Sequence, residues 1–533
     1  MTDSVSVILL TALVFSVAII PINSLDFFWH LKTGEYIAST GSLPALDPLT
    51  YTAVPDDPNY PGRPAMLLKG YWLAQIIFAG IVRNFGLEGM IVFRGLLYAA
   101  IALCAICLIR LCSGPRTSLL LLLLLAFATK VAVEDSDRPQ IFIFLLSLLN
   151  VFICEWALRK ERGLLLYLNI PVMLIAANMH PGYIVGVVYL LAYVLASGFE
   201  ERLKPLRLHL LASSLLALLV TYLNPNHWSV FNALSDFFVK GGAMTANIME
   251  YRSPFVILRY VMSDPGWLAY WVLIVLSVPA VVFLLVKRRY AWCILLAGAA
   301  GASLWSMRYI YFFAPLGTFF ITLFMQETIF SKVRGIRAAE LALIPVFIIF
   351  IALRPLHENN LGIKTVLYTM TYPVAAADFM AREKIPQPVF NEMQSGGYLE
   401  WRLWPSYRMF IDTRELISGV YGRYINIMGY SEKGRQYLEE YRIASVITPA
   451  IDPMSGEIIP LVRGLYEDPG WAVIYLDGQS LIFARKGLYP QELPKYNVYY
   501  EVLSEIRYWQ PLYPWAKGYE ASTSEALTKT GGR

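Results

Sequence analysis

Apolar runs close to twenty residues long recur through most of residues 1–355, more than one water-soluble core absorbs. A hydrocarbon layer ~30 Å thick is crossed by roughly 20 residues of helix, and only helices or closed barrels satisfy every peptide group away from water. About eleven runs meet this requirement, near 5–22, 88–109, 117–133, 139–158, 163–178, 181–198, 208–223, 267–286, 290–305, 309–327 and 338–354. The whole chain is 57% apolar and 16% charged, whereas soluble domains run near ~45–50% and about 25%. The expected fold class is therefore an α-helical polytopic membrane protein, with residues 1–355 as its body.

The first run, Val5 to Ile22, has no basic residue before it and no small-residue cleavage site after it, so it is expected to stay as the first span. The segment from Lys69 to Arg83 is short and basic at both ends, which suits an interfacial or re-entrant helix. With that segment not spanning, alternate loops collect the cations: Arg110 and Arg116, Arg159 to Arg162, Arg202 to Arg207, Lys287 to Arg289, and Lys332 to Arg337. The positive-inside rule makes these loops cytoplasmic. The opposite loops hold Asp26, Glu35 and Asp47, then Glu134, Asp135 and Asp137, then Asp236, Glu250 and Asp264. These loops, including outer loop one over 23–87, are expected outside the cytoplasmic membrane.

Beyond residue 355 the pattern shortens to strands and amphipathic helices, an α/β domain over 356–487 on the same outer side. Strands are expected at Pro388–Asn391, Met409–Asp412 and Ala444–Thr448, with helices after Gly396-Gly397 and over 430–441. The stretch WAVIYL-DG-QSLIFARK reads as a hairpin with a two-residue turn at Asp477-Gly478. A Tyr- and Pro-rich tail, 488–533, carries one expected helix around 496–508.

The net charge of +5 does not point to nucleic acid, because the cations fall between spans and no RNA-binding motif is present. All five cysteines lie in or beside apolar runs, so no disulfide framework is expected.

Candidate functional residues gather at the outer ends of the spans. Asp26 follows the first span at a depth where a carboxylate is partly desolvated, suited to taking a proton or holding a metal. His30 stands one helical turn on, and Trp29 beside it reaches the headgroup layer. Carboxylates from two loops, Asp26 with Glu134, Asp135 and Asp137, offer hard oxygen ligands to Mg2+ or Mn2+, while Arg138 suits bidentate grip of a phosphate. Asn178, His180, Asn224, Glu250, Arg252 and Arg308 lie at the same level, although the His-Pro and Asn-Pro steps also stop helices. In the C-terminal domain Asn391, Asp412 and Arg414 fall at expected strand ends, where ligand binding and a structural role are both open.

Asp26, Trp29-His30-Leu31, Thr33-Gly34-Glu35, Gly41, Pro44, Asp47-Pro48 and Trp72-Leu73 together resemble the first outer loop of bacterial GT-C superfamily membrane glycosyltransferases. The architecture is like that of the protein O-mannosyltransferases and lipid A aminoarabinose transferases. The likeness extends through Arg138-Pro139-Gln140, Asn178, His180, Asn224-Pro225 and Glu250 to Ser253-Pro254, then Asn391, Gly396-Gly397-Tyr398 and Asp412 to Arg414. It implies transfer of a sugar from a polyprenyl-phosphate carrier to an extracytoplasmic protein, lipid or glycan acceptor, in single displacement with inversion. Asp26 matches the family's acidic residue and is implied as the base or acceptor-orienting group, with Arg138 and Arg308 steadying the departing phosphate. The Asp-Glu pair of the protein mannosyltransferases is here Asp26-Phe27, so a second carboxylate comes from elsewhere or is dispensable.

Two other classes compete. A transporter or flippase of lipid-linked glycans is expected to carry inverted repeats or mid-span charges, and a non-catalytic envelope-assembly scaffold leaves Asp26 free to vary.

Overall fold

The computed structural model describes residues 2–52, 67–113, 137–232, 249–257, 265–330, 372–414, 418–452, 457–477 and 479–490. The chain divides into two compact units, Met1–Leu43 with Tyr60–Leu367, and Pro44–Asn59 with Tyr368–Arg533.

The first unit is helical. Its elements are α1 (Thr2–Ala18), α2 (Phe27–Thr40), α3 (Trp72–Ser113), α4 (Gln140–Lys160), α5 (Asn169–Met179), α6 (Ile184–Ala196), α7 (Arg207–Val220), α8 (Pro265–Val286), α9 (Tyr290–Trp305) and α10 (Ile310–Met325). Five of the described helical stretches are long and apolar enough to cross a membrane, and four more are shorter and apolar. All expected spans from 5–22 to 309–327 coincide with these helices except 117–133, which lies outside the described residues together with 338–354. Along α8, Val275, Val278, Val282 and Val286 form one exposed stripe, while Tyr270, Leu273, Ala280 and Leu284 on the other face are buried. An exposed valine stripe is a liability in water and the ordinary surface of a helix in lipid.

The segment around 69–83 becomes the first arm of α3, which breaks at Gly86 (φ 70°, ψ −174°), a conformation open to glycine and closed to other residues. Residues 72–85 rise about 21 Å, short of the ~30 Å of hydrocarbon. Helix α2 crosses this arm closely: a Cβ on Gly34 falls 2.0 Å from the Gln75 carbonyl oxygen. Gly41 ends α2 in the left-handed conformation (φ 67°), its N–H donating to the Ile37 carbonyl.

Arg94 lies wholly buried on α3 and donates from Nη1 to both oxygens of Asp137 at 2.6 Å. It also donates from Nε to the Ala18 carbonyl at 3.0 Å and from Nη2 to the Ile20 carbonyl. The end of α1, the middle of α3 and the approach to α4 are tied by this one side chain.

The second unit is an α/β domain with α11 (Val374–Glu383), β1 (Val389–Asn391), α12 (Met393–Leu403), α13 (Ser418–Met428), α14 (Glu432–Glu440), β2 (Ser445–Thr448), α15 (Pro460–Glu467), β3 (Trp471–Leu476) and β4 (Leu481–Arg485). Its sheet runs β1-β2-β4-β3, with β1 parallel to β2 and the other pairs antiparallel. Phe390, Val446, Phe483 and Phe410 fill its core.

Three local expectations change. The β3–β4 strands pair Leu476 with Leu481 and the Asp477 amide donates to the Ser480 carbonyl at 3.0 Å, while Asp477 Oδ1 accepts the amides of Gln479 and Ser480 at 2.8 Å, so the turn closes one residue later than expected. The helix expected after Gly396-Gly397 starts earlier, where the Glu392 side chain caps the amides of Gln394 and Ser395. Residues 409–412 form no strand; Met409 makes an isolated bridge to Thr50, and Asn391 satisfies the amide of Phe410 and the carbonyl of Ile411. The expected 496–508 helix lies outside the described residues.

The expectation that all of loop one stays with the body also changes. Residues 44–52 lie along the second unit: Tyr51 and Met409 amides donate to the Met409 and Leu49 carbonyls, both at 3.1 Å. The Tyr51 hydroxyl reaches the Val389 carbonyl at 3.0 Å and the Trp404 indole the Pro48 carbonyl at 3.1 Å.

Candidate functional site

At one end of the helical unit, four separate chain segments bring charge together. Asp26 stands at the N-terminus of α2, and its Oδ1 accepts from the Trp29 indole at 3.2 Å. Its Oδ2 lies 3.1 Å from Nε of Arg138, just before α4, and the same Nε reaches Ser24 Oγ at 3.1 Å. Arg138 Nη1 spreads over the Glu250 carboxylate, 3.1 Å from Oε2 and 3.3 Å from Oε1. Arg308 closes the group from the turn after α9, with Nη1 3.5 Å from Glu250 Oε1 and a bond to the Tyr251 hydroxyl.

The turns that present these groups are fixed by their own backbone. Ser306 Oγ donates to the Glu250 carbonyl at 2.9 Å, the Met307 amide to the Arg252 carbonyl at 3.0 Å, and Ser253 Oγ to the Leu304 carbonyl at 2.6 Å. The segment 250–253 is thus sewn onto 304–307. Burial alone raises the Glu250 carboxyl, but Arg308 and Arg138 outweigh it and hold the group below the ordinary carboxylate range. Glu250 is an anion here, and two carboxylates face two guanidinium groups.

Beside the ionic group lies an aromatic wall. The Tyr71 ring is 4.9 Å from that of His30, 5.8 Å from Trp29 and 5.1 Å from His180. His30 Nδ1 sits 3.1 Å from Gln75 Nε2, and its ring lies 3.5 Å from that of Trp29. His180 Nδ1 accepts the Gly182 amide at 2.7 Å; burial, then Arg308 and Arg138, push its pKa down to about 3. It is a neutral imidazole. Asn178 accepts from the Trp72 indole at 2.9 Å and so braces the Tyr71-Trp72 corner.

Asp26, Trp29, His30, Arg138, Asn178, His180, Glu250 and Arg308 therefore fall in this one region of the helical unit. Because Asp26 and Arg138 touch, the first and second expected outer loops meet at one end of it. Arg252 is exposed, and its carbonyl serves the turn contact. Asn224 is occupied locally: Nδ2 reaches the His227 carbonyl at 2.9 Å and Oδ1 accepts the Asn226 amide at 2.8 Å. Asp137 is paired through both oxygens with Arg94. Glu134 and Asp135 lie outside the described residues, among which no group of three or more His, Cys, Asp and Glu side chains is placed to share a metal ion. Ser24, Tyr71, Gln75 and Tyr251 belong to the site although sequence reasoning did not single them out; the signal was adjacency to Asp26, Trp72 and Glu250.

A different group of buried charges joins the loops expected on the opposite side. Glu155 accepts from Arg202 at 2.7 Å, from the Trp292 indole at 2.6 Å and from the Tyr193 hydroxyl at 2.7 Å. Sequence reading missed Glu155 because it lies inside an apolar run.

In the second unit Asp47, Asp412 and Arg414 are brought together, with Glu400 added. Arg414 Nη2 lies 3.0 Å from Asp47 Oδ2 and 3.4 Å from Glu400 Oε2, while its Nε is 3.0 Å from each Asp412 oxygen. All four are buried. Gly396 admits this packing, because a Cβ there falls 2.3 Å from the Ile411 carbonyl oxygen.

No family model matches the chain, and no curated protein matches it. Solved structures do. The oligosaccharyltransferase of the archaeon Archaeoglobus fulgidus in its apo form aligns at 12% identity over 91% of this chain and 74% of that one, with a TM-score of 0.53. Its complex with an inhibitory peptide and a dolichol-phosphate aligns over the same shares at 12% identity and a TM-score of 0.54. A complex with Zn and sulfate gives 0.55, at 12% identity over 90% of this chain and 73% of that one. Identity this low carries architecture and leaves the chemistry to be argued from the residues. The chain shares the fold of these archaeal oligosaccharyltransferase structures.

Proposed function

We propose that this protein is a membrane glycosyltransferase that moves a sugar or glycan from a polyprenyl-phosphate carrier to an acceptor on the extracytoplasmic face. The observation that carries the reading is the pairing of Asp26 with Arg138, and of Arg138 and Arg308 with Glu250, at one end of an apolar helical unit. A lipid-linked donor needs such an end, where its phosphate meets cations while its chain stays in hydrocarbon. The archaeal neighbours support the class, since one was solved with dolichol-phosphate and another with a tethered acceptor peptide.

In the proposed step, Arg138 and Arg308 take the donor phosphate, and Asp26 orients the acceptor and accepts its proton as the acceptor atom attacks the anomeric carbon. The bond from that carbon to the phosphate oxygen breaks on the opposite face, and the electron pair leaves with the phosphate. One displacement inverts the anomeric centre. Neutral His180, with Tyr71 and Trp29, offers ring faces for the sugar without adding charge. Among the described candidates Asp26 pairs with Arg138 and Asp137 with Arg94; a divalent cation held at this end would take Asp26 with Glu134 or Asp135 and would steady the charge on the departing phosphate.

Mass spectrometry of polyprenyl-phosphate sugars that copurify with the protein tests the donor, and a transfer assay with the identified carrier compares wild type with Asp26→Asn and Arg138→Gln. Loss of at least about a hundredfold in transfer by Asp26→Asn is expected for removal of a base; full transfer by that variant removes the assignment.

A further inference from the structure

We infer that Glu250 is a resident stand-in for the donor phosphate, holding Arg138 and Arg308 aimed and giving way when the lipid-linked phosphate arrives. The inference rests on the proposed phosphate role of the two arginines. Glu250 presents both carboxylate oxygens to Arg138 Nη1 at 3.1 and 3.3 Å and one to Arg308 at 3.5 Å. Carboxylate and phosphate are read by guanidinium in the same forked geometry, so Glu250 lies where an incoming phosphate oxygen makes its bonds.

Charge gives the second argument. Asp26 and Glu250 balance Arg138 and Arg308, so a phosphodiester entering the unaltered group leaves one uncompensated negative charge in a partly buried place. Withdrawal of Glu250 restores neutrality. The side chains are 20% exposed for Glu250, 12% for Arg138 and 28% for Arg308, so water and a ligand headgroup reach them.

Geometry supplies the third. The backbone around Glu250 is anchored by Ser306 and by the Arg252 carbonyl, so the exchange is a movement of one side chain and leaves the turn in place. Each arginine keeps a second partner when Glu250 leaves: Arg138 has Asp26 and Ser24, and Arg308 has the Tyr251 hydroxyl, over whose ring it also lies at 4.9 Å. Both guanidinium groups remain directed at the vacated position. Glu250 is thus a positioning residue that competes with the donor, the reverse of a substrate-binding carboxylate.

The test is binding of a polyprenyl phosphate to the full chain in nanodiscs, by native mass spectrometry, for wild type, Glu250→Gln and Arg138→Gln. Glu250→Gln is expected to bind about tenfold more tightly, the direction and scale of removing one like charge about 6 Å away at a partly screened site. In the transfer assay its KM for donor falls and its kcat falls as well, because the lipid phosphate product is released more slowly. Arg138→Gln weakens binding. Equal or weaker binding by Glu250→Gln, alongside the expected loss in Arg138→Gln, overturns the stand-in and leaves the phosphate role of the arginines intact. Unchanged binding by Arg138→Gln instead overturns the underlying reading. If Glu250→Gln does not fold, Glu250→Asp, which shortens the reach to Arg138, is expected to show a smaller gain in affinity, and no gain refutes the inference.

Discussion

Arg414 and Asp47 are 367 residues apart in sequence and form an ion pair, Nη2 to Oδ2, at 3.0 Å. Through it a segment that follows α2 becomes part of the C-terminal domain, and Asp412 and Glu400 share the same guanidinium. Removing the only cation from this buried group strands three carboxyl groups. Arg414→Met is expected to cost about 3–5 kcal/mol of domain stability, the range for breaking a buried ion pair from one side. Thermal unfolding of the detergent-solubilised chain, read alongside proteolysis within residues 44–52, checks this; an unchanged midpoint and protected segment contradict it.

Glu400 and Asp412 in the same cluster are shifted in opposite directions, Asp412, despite its burial, being held low by Arg414. Burial first, and then the neighbouring Asp412 charge, raise the Glu400 carboxyl well above its ordinary value of 4.5. Above pH 4.5 the unfolded chain has released this proton while the folded domain retains it, so folding binds a proton and stability falls as pH rises. Glu400→Gln supplies the neutral form permanently. Its midpoint relative to wild type is expected to rise between pH 5 and pH 8, and a difference that is flat or shrinks across that window contradicts a protonated Glu400.

Asp137 separates a structural carboxylate from a metal ligand. With Arg94 on both oxygens, Asp137→Asn leaves a buried guanidinium short of its counter-charge, at an expected loss of about 3–5 kcal/mol. The double change Arg94→Met with Asp137→Leu is expected to recover much of that loss, because it removes the whole pair. A single mutant that is as stable as wild type, yet requires more Mg2+ for transfer, points back to metal binding.

The helical unit was legible because a span needs length and apolarity, and both are local properties. The convergence of the loops was legible for a related reason: with Lys69 to Arg83 read as not spanning, Asp26, Arg138, Glu250 and Arg308 are expected at one level. Their contacts follow that level. Arg94 and Glu155 escaped because each sits within an apolar run, where a charge reads as an interruption until its partner is seen across the bundle. The pairing of Asp47 with Arg414 escaped for a different reason, since no periodicity relates the two across so many residues. In the C-terminal domain the two glycines at 396 and 397 suggested a helix start, whereas the Glu392 side chain sets it, and Gly396 serves close packing against Ile411.

Gly34 offers a test of how α2, which begins immediately after Asp26, is held on the first arm of α3. A methyl group there meets the Gln75 carbonyl oxygen at 2.0 Å and the Ala79 Cβ at 3.1 Å, and the first of these is backbone that a rotamer change does not relieve. Helix propensity alone favours alanine over glycine by about 1 kcal/mol, so a Gly34→Ala variant without the contact is expected to be more stable. The overlap instead predicts a net loss of about 1–3 kcal/mol, with α2 lifted from α3 and the Gln75 contact to His30 lengthened. Because α2 carries Trp29, whose indole holds Asp26, the same change is expected to lower transfer by more than the loss of folded protein accounts for. Measuring the unfolding midpoint and the activity of the folded fraction together decides it: a stabilised variant with full activity shows that the two helices are not seated as closely as Gly34 and Gln75 place them.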